Sequence, residues 1–279
     1  MYRAKSLLLF MLMQTLLFAA SVSASDGPGG YEAFQPITPL DATTQMLSSD
    51  SQVPTDVTVG TDYVLLGTIG KVSADGLRVH AEGANMYTLV GVMNFQVGYA
   101  RQEYDVTVHG PTGDTGTTHS ADVIRVKWVP DSRVLQLPWN GKIALGSVMY
   151  FGSSGSTDVD FVQPYAGLAF EYGRARANVG VNTITGDMPE ETGVYASLQY
   201  ATSKELVWYV DYSEHDFHKL IINNILAPGA GVDCTNCADD ALSAGLAVKI
   251  GRYGFMNLGA YDIDDLAAPM GSLSFRKDY

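Results

Sequence analysis

The chain is poor in cysteine, in basic residues and in long apolar runs, and each shortage removes a class of protein. Two cysteines among 279 residues cannot build a disulfide-rich scaffold. Lys and Arg number 17 against 30 Asp and Glu, for a formal charge of -13. A surface of that sign repels phosphate backbones, so nucleic acid is excluded as a partner. Past the N-terminus no stretch approaches the ~18 uninterrupted apolar residues of a membrane helix. Any passage through a bilayer must therefore be made by strands. Charged residues are scarce at 17%, while hydrophobic residues reach 46%, with 29 glycines and 16 tyrosines. That balance excludes a disordered chain, a collagen and a coiled coil.

The first residues, MYRAKSLLLFMLMQTLLFAASVSASDG, place Arg3 and Lys5 before an apolar run from Leu7 to Ala20. Small residues follow at Val22-Ser23-Ala24, the order of a secretory signal peptide cut after Ala24. Without Arg3 and Lys5 the mature chain carries 15 basic against 30 acidic residues, a charge of -15.

From about residue 88 onward the hydrophobic period is two, the period of strands. Leu242, Ala244, Leu246, Val248 and Ile250 alternate with Ser243, Gly245, Ala247 and Lys249. Leu206, Trp208, Val210 and Tyr212 alternate with Val207, Tyr209, Asp211 and Ser213. Ten such segments are expected, at 88–109, 120–129, 142–151, 160–172, 174–184, 192–201, 204–213, 240–251, 252–263 and 270–279. Most have about ten residues, the length a tilted strand needs to cross a bilayer. Tight links at Gly173 and Thr202-Ser203 alternate with longer ones at 152–159, 185–191 and 214–239. Long loops on one side and tight turns on the other are how membrane barrels are built. The link 130–141 is long for the tight-turn side.

The tail GSLSFRKDY ends on an aromatic, Tyr279, with Phe275, Leu273 and Gly271 on the same face. It resembles the C-terminal insertion signal of Gram-negative outer-membrane β-barrels, with Lys277 where an apolar residue is common and Tyr in place of Phe at the end. The resemblance covers 88–279 as pattern. It implies an all-β fold, a transmembrane antiparallel up-and-down barrel of about ten strands, with twelve as the alternative. It implies an outer-membrane location, outer-membrane lipid and lipopolysaccharide as surroundings, and the barrel-assembly machinery as a partner reading Leu273, Phe275 and Tyr279.

Residues 25–87 read as an N-terminal periplasmic or plug segment. The stretch 26–56 is polar and rich in turn formers. Then DYVLLGTIGKVSADGLRVHAEG has the pattern of a hairpin turning near Ala74-Asp75-Gly76, which would supply the extra strand pair of a twelve-stranded barrel.

In an inside-out barrel the polar positions of each strand face the lumen. The expected lumen-facing residues are Asn94, Gln96, Arg125, Lys127, Gln163, Tyr165, Glu171, Arg174, Arg176, Asn178, Asn182, Gln199, Asp211, Lys249 and Arg276. Both signs occur among them, so they can pair across a narrow lumen and close it. Trp128, Trp208, Tyr150, Tyr172, Tyr200, Tyr212 and Tyr279 suit interfacial girdles. The expected outer loops hold fourteen acidic residues against one basic residue, Lys219. Such a rim concentrates cations, and divalent ions there could bridge it to lipopolysaccharide.

Two clusters carry possible chemistry. Cys234 and Cys237, in the longest loop, suit a local disulfide in an oxidising compartment; zinc with His215 and His218, or a redox role, are the other readings. Haem attachment is excluded because residue 238 is alanine, not histidine. Asp211, Glu214, His215 and Asp216 form the densest titratable group, where carboxylates beside a histidine could activate a water. No second acidic pair completes the site used by omptin proteases. Neither a metal nor a cofactor is called for. The expected function is a non-enzymatic barrel, either a structural or surface-interaction protein or a small cation-preferring pore. The alternatives are a hydrolase at the outer rim and a ligand-binding loop at 214–239.

Overall fold

Alternation of side chains across a strand only becomes architecture when neighbouring strands agree in register. A computed structural model of the chain describes residues 56–64, 68–71, 78–92, 94–110, 113–130, 141–154, 157–188, 190–214, 240–251, 254–261 and 268–278. Thirteen strands run through them: β1 (Asp56–Val64), β2 (Thr68–Lys71), β3 (Arg78–Val92), β4 (Phe95–Gly110), β5 (Gly113–Trp128), β6 (Lys142–Ser154), β7 (Thr157–Tyr172), β8 (Ala175–Gly186), β9 (Glu191–Ala201), β10 (Leu206–Ser213), β11 (Ala241–Ile250), β12 (Gly254–Tyr261) and β13 (Ala268–Asp278). From β3 to β13 every strand pairs antiparallel with the next. Strand β1 then bonds to β13 on one side, Asp56 opposite Asp278, and to β3 on the other, Val57 opposite Val90. The ladder closes through β1, which leaves that strand no free edge.

β2 prolongs β1 along the same flank of β3, with Thr68 opposite His80. The two are one interrupted stave, so the ring holds twelve positions, the larger of the two expected counts. Residues 56–64, 68–71 and 78–87 are therefore wall, not plug. The apparent strand 88–109 is two strands folded back at 93–94, with Val92 opposite Phe95. Two expected outer loops are also ladder: β4 and β5 stay paired up to Gly110 and Gly113, and β6 and β7 up to Ser154 and Thr157. Polar, Gly- and Thr-rich sequence there hid strands that stand beyond the apolar band, where no greasy face is needed. Residues 1–55 and the longest loop, 215–239, lie outside the described residues, and with them the signal peptide, Cys234 and Cys237, His215 and Asp216.

Followed from strand to strand round the ring, the register returns to β3 displaced by about 14 residues. Twelve strands with that stagger tilt by about 40° and enclose a cylinder about 23 Å across between backbones. Both Asp56 and Asp278 lie at the end that carries the tight turns, among them the Gly173 turn at φ 58°. That conformation favours glycine because it has no Cβ to clash.

The outer face is apolar. Val97, Ile124, Leu145, Val162, Leu168, Val179, Val181, Val194, Trp208 and Leu258 are all exposed. On β7 the outward positions from Val162 to Tyr172 rise about 25 Å along the axis, the height of a membrane barrel's apolar band. At the tight-turn end Phe95 stacks on Trp128 with centroids 6.4 Å apart, and Tyr172 is exposed nearby in height, as in an interfacial girdle. Tyr150 does not belong to it, since its ring is buried on the inner face. The upper limit is marked by charge. Tyr99 donates to Asp122 at 2.6 Å, Arg101 pairs with Asp122 at 3.0 Å and with Glu103 at 3.7 Å, and Asp160 is exposed on β7.

Glycines let the inner wall pack. A Cβ on Gly180 would collide with the Tyr195 ring, one on Gly245 with Tyr209, and one on Gly146 with Tyr165. Each tyrosine thus lies along the wall over a glycine of a neighbouring strand, and Gly167 and Gly259 complete the seats of Tyr195 and Tyr209. Pro164 interrupts the β7–β8 ladder: Val162 pairs with Thr185 and Tyr165 with Asn182, and the two rungs between are missing. Proline has no N–H to donate there.

Candidate functional site in the barrel lumen

The lumen gathers the polar residues that the strands turn inward. Gln163 and Asp211 are 0% exposed, Lys127 7% and Arg125 9%, and Gln102, Asn178, Asn182, Ser197, Gln199, Ser243 and Asn257 are buried with them. Asn178 donates to Ser197 Oγ at 3.0 Å across the β8–β9 pair. The amide of Gln163, the Gln199 nitrogen and the Ser243 hydroxyl have no hydrogen-bond partner in the structure. Gln96, Arg174, Arg176 and Lys249 are half-buried, and Asn94 is exposed in the 93–94 turn instead of facing the lumen. The side chains of Glu171 and Arg276 lie outside the described ones.

Of the four residues proposed for hydrolysis, the structure describes Asp211 and Glu214, and these two do not converge. Asp211 faces the lumen, whereas Glu214 is exposed and accepts from the Val194 backbone N–H at 2.9 Å. Positions three apart on an extended strand point to opposite sides, so these two carboxylates cannot share one water. Their odd spacing was visible in the sequence. His119 is buried on the inner side of β5, above the level of the charged boundary. Its Nε2 lies 2.5 Å from the Tyr150 hydroxyl, and Tyr150 stacks on Phe161 at 4.5 Å. Register places Tyr150 opposite Phe161 and His119 opposite Ser154, and the Tyr150 and His119 rings meet over Gly152, where a Cβ would come within 3.0 Å of both.

Burial pushes the His119 imidazole down to about 4. The folded barrel therefore resists a proton that the unfolded chain accepts near pH 6.5. Stability should fall as pH drops from about 6.5 toward 4. In His119→Gln, urea unfolding in detergent should lose part of that dependence; an unchanged pH profile would refute the assignment.

A closed ladder with valine, leucine and tryptophan outside and amides, hydroxyls and charges inside is the reverse of a water-soluble barrel. The fold is that of an outer-membrane β-barrel. Several solved structures align with most of the chain. The translocator domain of the autotransporter NalP from Neisseria meningitidis aligns with TM-score 0.47 and 11% identity, over 81% of this chain and 89% of that one. Outer membrane phospholipase A from Escherichia coli aligns with TM-score 0.41 and 11% identity, over 80% and 91%. The P. putida toluene transporter TodX aligns with TM-score 0.39 and 10% identity, over 82% and 91%. No protein-family model matches the chain, and no curated protein sequence does. Among the described residues of this outer-membrane barrel, no three His, Cys, Asp or Glu side chains group to hold a metal ion.

Proposed function

We propose that the protein is a non-enzymatic outer-membrane barrel with a closed lumen, acting as a structural or surface-interaction protein, and that it reaches the membrane through a cleaved signal peptide. One observation carries this reading: inward side chains that would line a pore, Gln102, Gln163, Asp211 and Ser243 among them, are out of contact with solvent. A conducting lumen keeps such groups wet. The separation of Asp211 from Glu214 weighs against the hydrolase alternative. The outer end, with Asp105, Asp158, Asp160, Asp187, Glu190, Glu191 and Glu214 exposed, suits divalent cations shared with lipopolysaccharide phosphates. Leu273 and Phe275 lie on β13, the strand that closes the ring on β1, a fitting place for a segment read by the assembly machinery.

Planar-bilayer recording of the refolded mature chain tests the proposal. No steady conductance is expected at neutral pH. A steady, cation-preferring channel would replace the closed barrel with the small-pore reading.

A further inference from the structure

We infer that the raised edge of β5 is a docking strand for an extended segment of another protein, one that carries lysine or arginine on its outward side. The inference rests on the surface-interaction reading and names the partner's chemistry. Its first support is a step in the rim. β4 and β5 stay paired up to Gly110 and Gly113, whereas β5 and β6 part above His119 and Ser154. β5 thus outruns β6 by six residues, Gly113–Thr118. Gly116 stands about 15 Å above the Asp122 boundary. Thr115 on the inward side and Gly116 and Thr118 on the outward side are all exposed, so this end of the hairpin is wet on both faces.

The second support is where the backbone groups point. The Val129 N–H bonds the Asn94 carbonyl, and the β4–β5 register continues unbroken from Trp128 to Gly113. In an antiparallel ladder, residues that bond one neighbouring strand alternate with those that bond the other. Odd-numbered residues of β5 therefore bond β4, and even-numbered ones turn N–H and C=O toward the β6 side. Among the described residues no strand pairs with Gly116 on that side. The other flank of the same raised sheet shows how such a place is filled. Above the end of β1, β3 is paired by β2, with Thr68 opposite His80. The β5 edge is also unguarded: GDTGTT holds no lysine or proline, and no bulge interrupts its register.

Charge selects the occupant. Asp105 on β4 and Asp158 and Asp160 on β7 are exposed on the outward side around the step. Residues 102–121 and 152–173 contain no lysine or arginine. A second copy of this barrel in the same membrane does not fit, because its β5 descends as this one does. Two such strands, facing each other across a two-fold axis along the membrane normal, cross at about 80°, twice the tilt, and cannot form a ladder. The occupant is an extended segment in line with β6, pairing by its backbone with Gly116 and Thr118. Its cationic side chains lie outward beside the carboxylates, and the N–H groups of those same residues point at β5.

The test uses the refolded mature chain in nonionic detergent and a fluorescein-labelled decapeptide of alternating threonine and lysine, followed by fluorescence anisotropy. The lysine probe should bind, and its counterpart with glutamate in place of lysine should bind about tenfold more weakly or not at all. Gly116→Pro removes an edge N–H and leaves the bonds to β4 in place. It should weaken the lysine probe about tenfold, while Gly116→Ala retains it. Heat-modifiable gel mobility shows that each variant is folded. Should the proline variant not fold, methylation of the probe asks the same question of the unaltered chain. N-methyl groups on the lysines should abolish binding, and N-methyl groups on the threonines should spare it. Any other methylation pattern overturns the docking strand, as does equal binding to Gly116→Pro, equal binding of the glutamate probe, or no binding at all. Bilayer current reads the lumen separately, so failure of the docking strand and failure of the closed barrel are told apart.

Discussion

Replacing Val179 by arginine should destabilise the membrane-inserted protein by about 2–4 kcal/mol, although Val179 is 46% exposed. In a water-soluble barrel an exposed valine accepts arginine at almost no cost. Here the residue sits near the middle of the apolar band on β8, so the guanidinium would meet hydrocarbon. The next residue back, Asn178, faces the lumen and bonds Ser197. Val179→Arg and Val179→Leu, unfolded by urea from lipid vesicles and followed by tryptophan fluorescence, make the comparison. An arginine variant as stable as the leucine one would remove the membrane assignment of this face.

The second large effect concerns the tyrosine seats. Gly180→Val should cost about 3 kcal/mol, at the upper end for overpacking, because a Cβ there meets the Tyr195 ring and comes within 2.5 Å of the Ala166 carbonyl oxygen. The side chain can be moved but the carbonyl cannot, since it belongs to the wall. Combining Gly180→Ala with Tyr195→Ala should therefore cost less than the sum of the two single changes, without returning to the parent. Strict additivity in the unfolding free energies would mean that the tyrosine does not rest on this glycine. Gly245→Val against Tyr209 should behave alike, because the same arrangement recurs on β10 to β12.

Several features were legible in the sequence because they are local. Alternation with period two puts neighbours on opposite faces: Lys127 is buried and Trp128 exposed, Asn178 buried and Val179 exposed, Tyr209 buried and Trp208 exposed. A wrong face would have put a charge into hydrocarbon, so the pattern could not drift. The strands were lost where that pressure stops. Residues 113–119 stand above the band, and their Thr, Gly and Asp read as a loop although they pair rung by rung with 104–110. The odd spacing of Asp211 and Glu214 could also have been read, and it splits the group of titratable residues.

A two-residue period and tight turns at one end already specify an inside-out barrel. The number of staves and the glycine seats of the tyrosines come from pairings that this pattern does not contain. Closure depends on β1 meeting β13 across more than two hundred residues of chain, and each tyrosine's seat is a glycine brought beside it by register. Both are non-local pairings, and a pattern that repeats every two residues specifies which side a residue takes but not which strand lies next to it.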